Sequence, residues 1–143
     1  MTTLSVDQAA LTTDDTAAIV AVMERIMAAW ADHDADAFAR VFTEDGTLIL
    51  PNDIFLTSRE EIRSYMAHGF AGPYRGTQVI GTPLVIKALG DGAAVIISTG
   101  GVRAPGATEL AADAVVRAAW VLTRKDAEWL IAHYQNTPIG VAG

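Results

Sequence analysis

From Thr12 onward the apolar residues Ile19, Val22, Met23, Ile26, Met27 and Trp30 recur at steps of three and four, with Glu24, Arg25 and Asp32 between them. That spacing predicts an amphipathic helix. Thr12 or Thr13 can cap its start, where Asp14 and Asp15 also meet the positive end of the helix dipole. A second, short helix starts after Asp34 as N-cap, shows Phe38, Val41 and Phe42 on one face and ends before Glu44-Asp45-Gly46. Leu48, Ile49 and Leu50 read as a short strand stopped by Pro51. Ser58 and Glu61 form a capping box in which the glutamate reaches back to the serine's own N–H, so a third helix begins near Arg59. It presents Ile62, Tyr65, Met66 and Phe70 along one side and ends at Gly72-Pro73.

The second half alternates with the period of strands over 77–89, 93–104, 114–124 and 129–136, broken by Gly90-Asp91-Gly92, by a looser segment from Pro105 to Asp113, and by Lys125-Asp126-Ala127. Three helices followed by hairpin-linked strands predict an α+β fold with the helices gathered on one sheet face. In 114–124, Val115, Ala119 and Val121 lie on one face and Val116, Ala118, Trp120 and Leu122 on the other, so both faces need cover. Helices supply one cover, and a second copy of the chain in a two-fold homodimer is expected to supply the other. Residues 1–11 carry no periodicity and read as a flexible lead-in to one domain over 12–143.

Composition narrows the picture further. Hydrophobic residues make up 51% and charged residues 19% of the 143, too apolar for disorder and too often interrupted for a membrane span. A formal charge of −7 repels phosphate backbones and anionic lipid surfaces, so neither nucleic acid nor membrane is expected as a partner. The absence of cysteine excludes disulfides, thiolate metal sites and a cysteine nucleophile, and Met1 to Thr13 lack a signal-peptide pattern, which makes a cytoplasmic location the default expectation. Three scattered histidines give no metal-ligand spacing, and no Gly-rich dinucleotide fingerprint occurs, so neither metal nor cofactor is expected.

Four stretches then line up in order: Trp30-Ala-Asp-His-Asp-Ala-Asp-Ala-Phe38, Phe42-Thr-Glu-Asp-Gly46, Ser58-Arg-Glu-Glu-Ile62 and Trp129-Leu-Ile-Ala-His-Tyr-Gln-Asn-Thr-Pro138. Together they resemble the NTF2-like (SnoaL-like) superfamily. The close at Gln135-Asn-Thr-Pro138 and Arg117 in the preceding strand look like its SgcJ/EcaC branch, found in natural-product clusters and known from enediyne polyketide assembly. The resemblance implies a cone in which a curved, mixed or antiparallel sheet wraps about three N-terminal helices around an internal apolar pocket. It implies no one chemistry, because a fold hosts many functions. The leading expectation, drawn from an apolar cavity pattern with few inward polar groups, is a protein that binds a small hydrophobic molecule such as a polyene or aromatic polyketide and assists its folding, cyclisation, isomerisation or release without a cofactor. The alternative is a noncatalytic carrier or chaperone-like partner of a polyketide synthase. Aligned on the steroid isomerases of the superfamily, Leu50 falls where they keep a general-base aspartate and Ile26 at their oxyanion-binding tyrosine, which argues against that mechanism.

Candidate site residues follow from facing and chemistry. Strict alternation along the last strand puts Trp129, Ile131, His133 and Gln135 on one face, read as the inner one, with Asn136 turned outward. His133 is then a candidate acid or base near neutral pH, with Gln135 and Arg117 assisting, against the plainer reading of a hydrogen-bonded core histidine. Arg117 needs a carboxylate, an anionic ligand or solvent, and Asp45 is the partner suggested by fold analogy. Trp30, Phe42, Phe55, Tyr65 and Trp120 are candidates for lining the pocket, with His68 at its rim or at a solvent-facing helix end. His33, between two aspartates, reads as a solvated turn residue.

Overall fold

Thr12 starts helix α1 (Thr13–Ala31): its hydroxyl accepts from the Asp15 N–H at 2.9 Å while the Asp15 carboxylate accepts from the Thr12 N–H at 3.4 Å. Asp34 caps α2 (Ala35–Arg40) through the Ala37 N–H, and Ser58 caps α3 (Arg59–Ala71) through the Glu61 N–H. The expected reciprocal bond at Ser58 is displaced by one residue, because the Glu61 carboxylate accepts from the N–H and the hydroxyl of Thr57 instead. These features belong to a computed structural model that describes residues 4–7 and 10–140.

The strands are β1 (Ser5–Val6), β2 (Phe42–Leu50), β3 (Ile54–Leu56), β4 (Gln78–Gly90), β5 (Ala93–Arg103), β6 (Val116–Lys125) and β7 (Glu128–Pro138). They form one mixed sheet in the order β1-β4-β5-β6-β7-β2-β3, parallel at β1/β4 and β2/β7 and antiparallel elsewhere. Register shifts in β4, between β6 and β7, and in β2 bend the sheet, since each unpaired residue adds local twist. α1 packs on β4 and β7, α3 on β2, and α2 against both other helices. This is the α+β cone: all three helices share one concave sheet face.

Three local expectations need correction. Phe42 is strand rather than helix, because the Ile131 N–H captures the Val41 carbonyl at 2.8 Å and pulls the chain out of α2 into the sheet. The unanticipated β3 returns from β2 through Asn52 and Asp53, both at positive φ (70° and 62°), a conformation these two residue types tolerate better than most. In the lead-in, Ser5 and Val6 pair with Val85 and Ile86, and Leu11 is only 8% exposed, so the described part of 1–11 is docked. Two strand residues are too few for any period to betray them. Residues 1–3, 8 and 9 lie outside the described residues. Among the described residues no helix is long and apolar enough to cross a membrane.

Candidate functional cavity

Cross-strand register decides what the concave face presents. One row runs Ile96–Trp120–Tyr134–Leu48 and the next Ser98–Ala118–Asn136. Further along, Gly100 faces Val116, which faces Pro138. Bulk thus falls from the first of these rows to the second, and Gly100 keeps the third open on the β5 side. Gly100 and Gly101 cannot carry larger groups, because a Cβ there would collide with the carbonyls of Ile80 and Ala114. Small residues on the sheet opposite large ones on the helices leave a cavity of about 520 Å³. Met23, Ile26, Met27 and Trp30 of α1 form one wall, Tyr65 and Met66 of α3 another, and the strands close the rest. Leu50 and Ile26 both lie on this wall, so the two positions singled out against a steroid-isomerase mechanism are cavity positions and apolar.

Trp30 is the hinge of the helical wall. Its ring meets Phe38, Phe70 and Tyr74 at centroid distances of 6.1, 5.4 and 4.8 Å, and its Nε1–H donates to the Thr77 hydroxyl at 3.0 Å. That hydroxyl in turn donates to the Tyr74 carbonyl at 2.6 Å, tying the segment after α3 to α1. Gly69 has no side chain where the Tyr74 ring lies against α3, and a Cβ there would strike that ring. His33 completes the tie: at φ 52° its Nδ1–H donates to the Trp30 carbonyl and its Nε2 accepts from the Gly76 N–H. Its ring stacks on Phe70 at 4.8 Å. His33 is therefore a structural bridge rather than a solvated turn residue, because both of its ring nitrogens have fixed partners.

The polar groups of the cavity are few. The Trp120 Nε1–H is spent on Ser98 Oγ at 2.8 Å, and its ring stands edge-on to Tyr134 at 4.8 Å. The hydroxyls of Tyr65 and Tyr74 lie 3.2 Å apart. Asn136 Nδ2 donates to the Tyr134 hydroxyl at 2.9 Å, and its Oδ1 is buried without a partner. Among the described residues the ionisable side chains on the wall are these three tyrosines and Asp113, which is exposed at the edge. Burial pushes the Tyr74 phenol well above its ordinary range, helped by Tyr65, and burial likewise raises Tyr134 against the opposing donation from Asn136.

A pH prediction follows from these two phenols. Above about pH 10, the ordinary tyrosine value, the unfolded chain releases protons that the folded chain still holds. Stability is therefore complete below that pH and falls as pH rises through the folded values. Melting temperatures measured across the alkaline range should decline less steeply for Tyr134→Phe than for the parent. Parallel curves would contradict the assignment.

The candidates from strict alternation are placed differently. Ala132 is an extra residue between the pairs Leu122–Ile131 and Val121–His133. This bulge reverses facing along β7. Trp129 and Ile131 stay buried on the inner face, but His133 and Gln135 turn to the outer one while Tyr134 and Asn136 turn in. Outside, the His133 Nε2–H donates to Gln135 Oε1 at 2.9 Å and Nδ1 accepts from the Thr47 hydroxyl at 2.7 Å. Arg117 is exposed on the outer face and makes no ion pair among the described residues; Asp45 accepts from Thr43 instead. His68 is exposed at the end of α3, and Phe55 is 60% exposed on the edge strand β3. Trp30, Phe42, Tyr65 and Trp120 do line the cavity. The residues missed are Tyr74, Ser98, Tyr134 and Asn136; the last two alternate with His133, so admitting one bulge is all that separates the two readings.

The SnoaL-like domain model matches residues 12–135. Among solved structures, a domain of unknown function with a cystatin-like fold from Nostoc punctiforme is 26% identical, with a TM-score of 0.84 over 92% of this chain and 82% of its own. An NTF2-like protein with a cystatin-like fold from Novosphingobium aromaticivorans is 18% identical, with a TM-score of 0.77 over 90% and 85%. A ketosteroid isomerase-like protein from Erwinia carotovora atroseptica is 18% identical, with a TM-score of 0.72 over 90% and 99%. No curated protein matches the chain.

Proposed function

The chain belongs to the SnoaL-like domain family, and from that premise we propose that it binds a small, mostly apolar molecule inside its cone. The observation that carries this reading is the 520 Å³ cavity with aromatic and aliphatic walls and a few converging hydroxyl and amide groups, the usual make-up of a small-molecule site. The substrate class proposed is a polyene or aromatic polyketide of a natural-product pathway, suggested by the SgcJ/EcaC-like close of the chain. Between a catalyst and a carrier for such a molecule, the carrier reading is favoured by the outward turn of His133 and Gln135, which takes the strongest acid–base candidate away from any ligand in the cavity. The polyketide synthase then remains as the partner that hands over or receives the ligand.

The test is direct. Nile red, a neutral apolar dye, should bind with saturable, blue-shifted emission, and His133→Ala should leave its affinity within about twofold of the parent, because that ring contributes no wall atom. Absence of saturable binding would remove the proposal. For the finer reading, the protein should bind the intermediate or alter the product profile of a polyene-forming synthase; failure of both would sink it.

A second copy of the chain is proposed to cover the outer sheet face, where Val95, Ile97, Ala119 and Val121 lie in adjacent rows. Light scattering that returns a monomer mass at micromolar concentration would dispose of the dimer without touching the cavity.

A further inference from the structure

A second hollow lies outside the cavity and shares no lining residue with it. On α1 the positions 23, 26, 27 and 30 line the cavity, and the neighbouring stripe 25, 28, 29 and 32 lines this recess, so one helix serves both. The recess holds about 500 Å³ between α1, α2, the first turn of α3 and the start of β7. Ala29 and Val41, both buried, give it an apolar floor with Leu130 beside them. Three arginines line it as well: Arg25 from α1, Arg40 from the end of α2 and Arg59 from the start of α3.

These arginines are not neutralised from within. Among the described residues the ion pairs join Arg63 to Glu60 and Asp36 and Arg124 to Asp15, and none reaches Arg25, Arg40 or Arg59. Asp32 and Glu128 also belong to the lining, yet neither lies within ion-pair distance of the three. The lining therefore carries a formal excess of one positive charge in a chain whose total is −7. Like charges gathered around one hollow repel one another, and an entering anion relieves that repulsion. Arg59 is already held in place. Its Nε–H and one Nη2–H donate to the Phe42 carbonyl at 3.0 and 2.6 Å, which orients the guanidinium and leaves its other N–H groups unspent among the described residues.

The donor set discriminates between anions. A single arginine satisfies both oxygens of a carboxylate through a bidentate pair, so three are more than that group uses. A phosphate monoester presents three terminal oxygens and nearly two charges, which guanidinium groups from three helices can share. A polyphosphate chain such as a nucleic acid would instead run into Asp32, Glu128 and the negative charge of the molecule as a whole. The apolar floor suits the organic part of the ester. We infer that the recess between α1, α2 and α3 binds an organic phosphate monoester through Arg25, Arg40 and Arg59. This site is separate from the cavity and does not depend on the ligand proposed there.

Calorimetric titration of the intact protein at low ionic strength with phenyl phosphate, inorganic phosphate and benzoate tests it. Phenyl phosphate should bind about tenfold tighter than either of the others, and added sodium chloride should weaken it. Arg25 and Arg40 are exposed, so the double variant Arg25→Gln/Arg40→Gln should keep the parent's melting curve while its affinity for phenyl phosphate falls about tenfold or more. Ala118→Phe, which adds a ring inside the cavity, should leave phenyl phosphate binding unchanged. Four results would each overturn the inference: no saturable binding of phenyl phosphate, equal affinity in the arginine variant, benzoate or inorganic phosphate bound as tightly, or binding lost in Ala118→Phe. None of them removes the reading of the cavity, which Nile red tests on its own.

Discussion

Replacing Trp30 by alanine is expected to cost about 3–5 kcal/mol of folding stability and to lower the melting temperature by roughly 10–20 °C. The side chain is only 6% exposed and touches three aromatic rings at once. Its loss would empty a large volume where α1, α2 and the segment after α3 meet. It would also leave the Thr77 hydroxyl without its donor, loosening the bond that holds Tyr74 against the helices. Trp30→Phe separates these effects, since it keeps much of the packing and removes only the N–H; about 1–2 kcal/mol is expected there. Urea denaturation of both variants measures the two terms. A loss below about 1 kcal/mol for the alanine variant would mean that the helical wall does not depend on this ring.

Ala118→Phe is expected to lower Nile red affinity by about a hundredfold or more while leaving the fold intact. Ala118 is 4% exposed, lies between Ser98 and Asn136 on the inner face, and is a wall residue of the cavity. In a filled core such an enlargement costs about 1–3 kcal/mol by overpacking. Here the added ring has empty volume to enter, so stability should change little while the ligand loses its place. Ala119→Phe, one position along on the outer face beside Ile97 and Gln135, is the matched control and should leave dye binding unchanged. Equal loss from both substitutions would show that the dye sits elsewhere.

How far the chain can be read without coordinates differs between its two halves of information. Helices α1 and α3, their caps at Thr12 and Ser58 and the four long strands follow from spacing, because the burial that stabilises them is periodic along the chain. The aromatic residues of the wall follow too: Trp30, Phe42, Tyr65 and Trp120 are apolar enough that one side of the sheet must take them. The polar end of the cavity does not follow. Facing along β7 depends on whether Ala132 is paired or bulged, and alanine, small and uncommitted, gives no local sign of either. One unpaired residue exchanges His133 and Gln135 for Tyr134 and Asn136, and with them an acid–base site for a neutral hydrogen-bonding pair. His33 was misjudged for a related reason: its partners, Trp30 and Gly76, include one 43 residues away, a distance over which local composition is silent.

The two glycines Gly100 and Gly101 carry a consequence for how relatives of this chain can diverge. With the carbonyls of Ile80 and Ala114 occupying the space of any methyl at 100 and 101, substitutions at those two places are closed to descendants that keep the backbone. If the cavity takes a ligand as proposed, room for a different size can instead be made at 98, 118 and 136, one residue from each of three neighbouring strands. Lineages that have moved to a different ligand should therefore carry their differences in that triplet, with the paired glycines left standing as a fossil of the common frame.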